Sequence, residues 1–110
     1  MGLFGPKRAN MPGHDRRQYV RVSNRVLKII IEGRAYRTAD WSAGGFRLDD
    51  RPEGLSISDN VDGIIRGIGF GVPGDFTAQV VRFPAEGGVA MRFVDIHGRC
   101  FSALLELSGN

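Results

Sequence analysis

Sixteen glycines are spread along a chain of only 110 residues, about twice the usual share. They cut the sequence into apolar stretches too short and too regularly alternating for helices. Lys28-Ile29-Ile30-Ile31-Glu32 reads as a strand. Glu32-Gly33-Arg34 reads as a hairpin turn, with Ala35 to Asp40 as the returning strand. Ser42 to Gly45 is a turn closing on two consecutive glycines, and Phe46-Arg47-Leu48 starts the next alternation. Val61 to Ile68, Phe76 to Phe83 and Val89 to Val94 complete the set. Gly69-Phe70-Gly71-Val72-Pro73-Gly74 has the glycine spacing of a dinucleotide-binding fingerprint. Pro73 sits inside it and no amphipathic helix follows, so it reads as a loop between strands.

The end of the chain has a different period. From Asp95 or His97 onward, Cys100, Phe101, Leu104 and Leu105 recur at helical spacing with no proline before Asn110, and Asp95 is placed to cap the start. About six short strands at hairpin spacing and one terminal helix predict a mainly β chain: a six-stranded antiparallel β-barrel with a C-terminal α-helix. The length allows one domain. Residues 1–14, with Gly2, Gly5, Pro6, Pro12 and Gly13 and no periodicity, are expected to form a flexible N-terminal tail, and 15–110 the barrel domain.

Charge is unevenly distributed. Residues 1–28 carry seven Lys/Arg (Lys7, Arg8, Arg16, Arg17, Arg21, Arg25, Lys28) and one acid, Asp15, a balance of +6. Residues 29–110 carry eight Arg and eleven acids, a balance of −3. A basic N-terminal end attracts anions: a nucleotide, a nucleic acid or an acidic membrane surface. The single cysteine, Cys100, permits no internal disulfide and reads as a small buried side chain. No apolar run approaches the ~18 residues of a membrane span, and the first residues lack a secretory core, so the expected location is the cytoplasm. His14 and His97 have no metal-ligand partner at useful spacing. Nor do Ser, His and acidic residues form a nucleophile arrangement; no enzyme activity and no cofactor are expected.

Two motifs carry binding chemistry. Arg16 is followed by Arg17-x-x-x-Arg21, and guanidinium groups present planar forks of donors that fit phosphate or the O6/N7 edge of guanine. Asp40-x-Ser42-x-x-Gly45 adds the complement. A carboxylate at Asp40 accepts from guanine N–H groups, Ser42 donates to a phosphate or base or bonds its own turn, and Gly45 permits a positive φ angle or a close approach of backbone to ligand. Trp41 alternates away from Asp40 and is expected in the core or against a partner.

In this order and about 20 residues apart, the two motifs resemble those of the PilZ domain family: Arg-x-x-x-Arg before the first strand, then Asp/Asn-x-Ser-x-x-Gly after the second. The resemblance spans residues 15–107, with Gly88-Val89-Ala90-Met91-Arg92-Phe93 similar to the family's closing strand. It implies a receptor for cyclic di-GMP. Arg17 and Arg21 would hold phosphates and guanine faces, and Asp40, Ser42 and Gly45 would line the guanine-recognising side. Arg16, immediately before the motif, implies an intercalated ligand dimer. The tail would order over the ligand and relay occupancy to an effector protein.

Two other classes compete with this reading. One is a PilZ-like protein-interaction module that binds no nucleotide, against which the intact Arg17, Arg21, Asp40, Ser42 and Gly45 argue. The other is a barrel for single-stranded nucleic acid; only Tyr19 is interleaved with the basic cluster, so no DNA partner is expected.

Overall fold

A computed structural model describes residues 19–109. The chain runs through six strands and one helix: β1 (Lys28–Ile31), β2 (Arg34–Ser42), β3 (Gly45–Leu48), β4 (Asn60–Arg66), β5 (Asp75–Arg82), β6 (Val89–Ile96) and α1 (Gly98–Ser108). The strands close in the order β1-β2-β3-β6-β5-β4, each antiparallel to its neighbours, with β4 returning to β1. This is the six-stranded barrel with a C-terminal helix that the alternation predicts. Closure leaves no unpaired sheet edge, a requirement that a chain of short strands must otherwise meet with charges or bulges.

Local chemistry sets the boundaries. Glu32 and Gly33 form the β1–β2 turn with φ of 52° and 77°, the left-handed geometry that matches the twist of a two-residue hairpin. β4 stops at Arg66, two residues short of the expected Ile68, because Gly67 takes a φ of 97° and leaves the ladder. The glycine-rich segment 67–74 is the β4–β5 connection, as its composition requires.

Alternating inward residues fill the barrel. Phe46, Phe76 and Phe93 form a triangle with all three ring centroid separations at 5.5 Å. Such tilted and edge-on contacts each add roughly 0.5–1.5 kcal/mol beyond area burial. Trp41, 1% exposed, joins this core. Its indole Nε1 donates to the Arg25 carbonyl at 2.7 Å, so its polar atom is satisfied inside.

Helix α1 closes one end with Cys100 and Leu104 buried. Its cap differs from expectation. Asp95 belongs to β6, which extends to Ile96, and His97 is the N-cap, its Nδ1 accepting from the Arg99 N–H at 3.1 Å. A two-residue extension of the β6 ladder thus displaces the acidic cap. Gly109, at φ 86°, ends the helix in a left-handed cap.

Cys100 is fully buried. Burial, reinforced by the charge of Asp75, pushes its thiol pKa up to about 12. The native protein is therefore expected to resist a thiol reagent such as DTNB at pH 8 and to react stoichiometrically once unfolded in guanidinium. Rapid native-state labelling would place Cys100 at an accessible surface.

Candidate ligand-binding site

The site is built on β2, and a single extra residue in that strand determines which way it faces. On the first half of β2, Ala35 and Arg37 pair with Ile30 and Lys28 on the outer surface. Pairing with β3 then moves from Thr38↔Leu48 directly to Asp40↔Arg47. Two residues on β2 oppose one step on β3, which makes Ala39 a bulge. The outward set changes from odd to even numbers, and Thr38 is buried while Asp40 and Ser42 flank the inward Trp41 on the other side. With regular alternation Asp40 would share the buried face of Thr38.

A second element lies on the end of β2. Val22 and Trp41 exchange both backbone hydrogen bonds, Val22 N to Trp41 O at 2.7 Å and Trp41 N to Val22 O at 3.0 Å. Both side chains are buried, so the preceding Arg21 falls on the opposite, outer side together with Ser42 and Asp40. Arg21 Nη2 ion-pairs with Asp40 Oδ1, and its Nη1 lies 3.5 Å from Ser42 Oγ. Ser42 Oγ also accepts from the Gly44 N–H at 3.0 Å, the self-bonded turn that a serine at this place favours. The Asp-x-Ser-x-x-Gly motif straddles the β2–β3 hairpin. Asp40 and Ser42 are on β2, the turn itself is only Ala43-Gly44, and Gly45 opens β3.

The outer face continues across four strands. One row runs Asp40, Arg47, Ala90, Arg82; the next runs Ser42, Gly45, Arg92, Gln79. Apart from Gln79, these rows and Arg21 border an open groove of about 500 Å³, within the range of small-ligand sites. Gly45 has a packing reason to be glycine: a Cβ there would fall 2.3 Å from the Met91 carbonyl oxygen and 2.8 Å from Arg92 Cα. The close approach it permits is that of β6, which forms the floor of the groove.

Four arginines (Arg21, Arg47, Arg82, Arg92) and one carboxylate, Asp40, line this groove. Arg47 grips Asp40 Oδ2 through Nε at 3.2 Å and Nη2 at 3.0 Å and reaches Glu86 at 3.1 Å. Arg92 is held by a neutral group, donating through Nε at 3.1 Å and Nη2 at 2.9 Å to Gln79 Oε1. No described acid pairs with it, so its charge is oriented toward the groove, whose described lining is net positive. For Asp40 the largest influence is burial, which raises the pKa. The hydrogen bonds and charges of Arg21 and Arg47 together outweigh it and hold the carboxyl below its usual range.

Of the residues expected from sequence, Arg21, Asp40, Ser42 and Gly45 come together here. Arg16 and Arg17, like the tail at 1–14, lie outside the described residues. Arg47, Arg82 and Arg92 were not anticipated. Their signal was available for two of them: Arg47 lies between Phe46 and Leu48, and Arg92 between Met91 and Phe93. A charge flanked by core residues on a strand faces outward. Which outward residues share a patch depends on strand order, which alternation does not reveal. No group of three His, Cys, Asp or Glu able to hold a metal occurs among the described residues, and no described helix is long and apolar enough to cross a membrane.

No family model and no curated protein sequence matches the chain. Among solved structures it is similar to the Bacillus subtilis inhibitor of motility, MotI/DgrA, with a TM-score of 0.65 and 26% identity over 84% of this chain. The barrel has a PilZ-like fold. The chain covers 49% of the length of that structure, about half.

The Asp40 network makes stability depend on pH. A carboxyl whose pKa is lower folded than unfolded contributes above the unfolded value of ~3.9 and loses that contribution as pH falls through the folded value. Arg21 is 52% exposed, so solvent screens its share. Asp40→Asn is expected to cost about 1 kcal/mol at pH 7 by urea unfolding. The gap to wild type should shrink as pH falls below ~4; an equal gap at pH 7 and pH 3 would assign the loss to packing.

Proposed function

We propose that this chain is a receptor for cyclic di-GMP that relays ligand occupancy to an effector protein and performs no chemical step. The observation that carries this reading is the convergence of Arg21, Asp40, Ser42 and Gly45 on one net-positive groove with Arg47, Arg82 and Arg92. A ligand with two phosphates and two guanines matches that inventory. Guanidinium forks take phosphate oxygens bidentately, arginine planes stack on bases, and one carboxylate accepts the N1–H and N2–H of guanine. The PilZ-like fold supports the same assignment, as does likeness to a protein named as an inhibitor of motility, a regulatory role.

Binding proceeds by exchange. In the free chain Asp40 is occupied by Arg21 and Arg47. A guanine edge replaces one of these partners at Asp40, and the released arginine turns to a phosphate, so no buried charge is left unpaired. Arg92, already oriented by Gln79, needs no rearrangement. Arg16 and Arg17 come from the adjoining segment to complete the phosphate grip, and Arg16 favours an intercalated ligand dimer. Ordering of that segment presents a new surface to the effector. As the ligand is an intracellular messenger, the protein acts in the cytoplasm. The described lining of the groove offers no free nucleophile to a catalytic role. Ser42 Oγ is committed to its own turn, and the Cys100 thiol is buried.

Isothermal titration with cyclic di-GMP tests the proposal. Wild type is expected to bind with an affinity that falls as salt rises. Arg21→Ala and Arg47→Ala are each expected to weaken binding by about 2 kcal/mol, roughly 30-fold, with stability lowered by no more than the ~1 kcal/mol of the Asp40 network. Absence of binding heat in the wild type would favour the PilZ-like interaction module that binds no nucleotide. Unchanged affinity in both variants would remove the groove as the site.

A further inference from the structure

The wall of the barrel opposite the groove has its own organisation. On the outer face of β2-β1-β4, Arg37, Lys28 and Arg66 stand in direct register across three adjacent strands. All three are exposed, and no described acid pairs with any of them. Neighbouring strands are ~4.8 Å apart, and like charges placed opposite one another cost stability.

Exposed apolar groups lie at the same end of the barrel. The row ends where β1 begins and β4 stops. There Val26 is 47% exposed, and the loop after β4 carries Phe70, fully exposed. The lead-in to β1 and this loop adjoin one another, since the Leu27 side chain lies 3.5 Å from where a Cβ on Gly67 would sit. Gly67, Gly69 and Gly71 all have positive φ, and this chain of left-handed turns carries Phe70 outward, clear of the core. Arg25, also exposed, lies next to Val26 in the lead-in to β1.

We propose that this end of the barrel docks reversibly on an anionic lipid bilayer, with Phe70 in the interface and Arg25, Lys28, Arg37 and Arg66 at headgroup level. A protein partner would need a complementary surface around the aromatic, since interface anchors fill enclosed, desolvated pockets. Phe70 is instead a fully exposed aromatic on the loop that leaves β4 at Arg66, one end of the basic row. A bilayer accepts a lone projecting aromatic at its interface and attracts basic residues at its anionic surface, and long basic side chains keep their heads at the headgroups while burying their stems. The proposal is independent of nucleotide binding, because neither the Asp40 nor the Arg92 row takes part.

Co-sedimentation of the full chain with vesicles tests it. Vesicles of phosphatidylcholine alone are compared with vesicles containing about one-third phosphatidylglycerol, in low and in high salt. Wild type is expected to bind only the anionic vesicles, and less so as salt rises. Binding should weaken about fivefold for each cation removed, so Lys28→Ala/Arg66→Ala is expected to lose about 25-fold, and Phe70→Asp to lose binding as well. All three positions are exposed, and unchanged thermal unfolding verifies that the variants fold. The fluorescence of Phe70→Trp should shift to the blue with anionic vesicles. Equal binding to neutral vesicles, or wild-type binding by both Phe70→Asp and the double variant, would overturn the proposal. The latter result would assign any lipid affinity to the basic N-terminal residues instead.

Discussion

A single bulge in β2 decides what this barrel presents to solvent. Strand alternation is strict, so one inserted residue exchanges the two faces of everything that follows. Ala39 is that insertion: before it Arg37 faces out, and after it Asp40 and Ser42 do. The same strand therefore supplies a cation to one wall and a carboxylate to the other. A bulge costs ladder hydrogen bonds, and it persists where surrounding structure requires it. Here Trp41, locked inward by its bond to Arg25 O and its bridge to Val22, fixes the phase of the second half.

That bridge has a second effect. By pairing Val22 with Trp41 it lays the lead-in segment along the end of β2 and delivers Arg21 to Asp40. The segment is also held by Tyr19, whose ring meets Phe101 of α1 edge-on at 5.9 Å and lies against Gly44. Arg21 is thus carried by a short stretch fixed at both ends, whereas Arg47 and Arg92 project from the barrel wall. The resulting network is closed on itself in the free chain. With Glu86 on Arg47, two arginines and two carboxylates balance in this network, while no described acid pairs with Arg82 or Arg92, so the groove is attractive to anions before any rearrangement.

Much of this was legible in the sequence. Alternation and glycine spacing are local properties, and they predict the strands, the glycine-rich loop and a six-stranded barrel, closed or nearly so. The burial of Cys100 follows from the same pattern, whereas the inward direction of Trp41 does not, since strict alternation from Thr38 would turn it outward. Arg21, Asp40, Ser42 and Gly45 were recognisable because they fall in two short motifs. What was not legible depends on pairing between distant segments. The bulge at Ala39 is defined only against β3, and the contributions of Arg47, Arg82 and Arg92 require the order β2-β3-β6-β5. Gly45 illustrates the difference: sequence assigns it room for close approach, and only the register shows that β6 occupies that room. The capping error at α1 has a similar origin, since β6 pairing to β5 draws Asp95 into the ladder.

Recognition of cyclic di-GMP by one wall of the barrel is the central proposal, and residue-resolved mapping tests it most directly. Titration of ¹⁵N-labelled protein with cyclic di-GMP, followed by heteronuclear NMR, is predicted to shift the amides of Arg21, Asp40 to Gly45, Arg47 and Arg92 together with the arginine side-chain resonances of the groove. Lys28, Ile30, Ile64 and Arg66 on the opposite wall should stay in place. Shifts centred on β1 and β4, or none at saturating ligand, would contradict it.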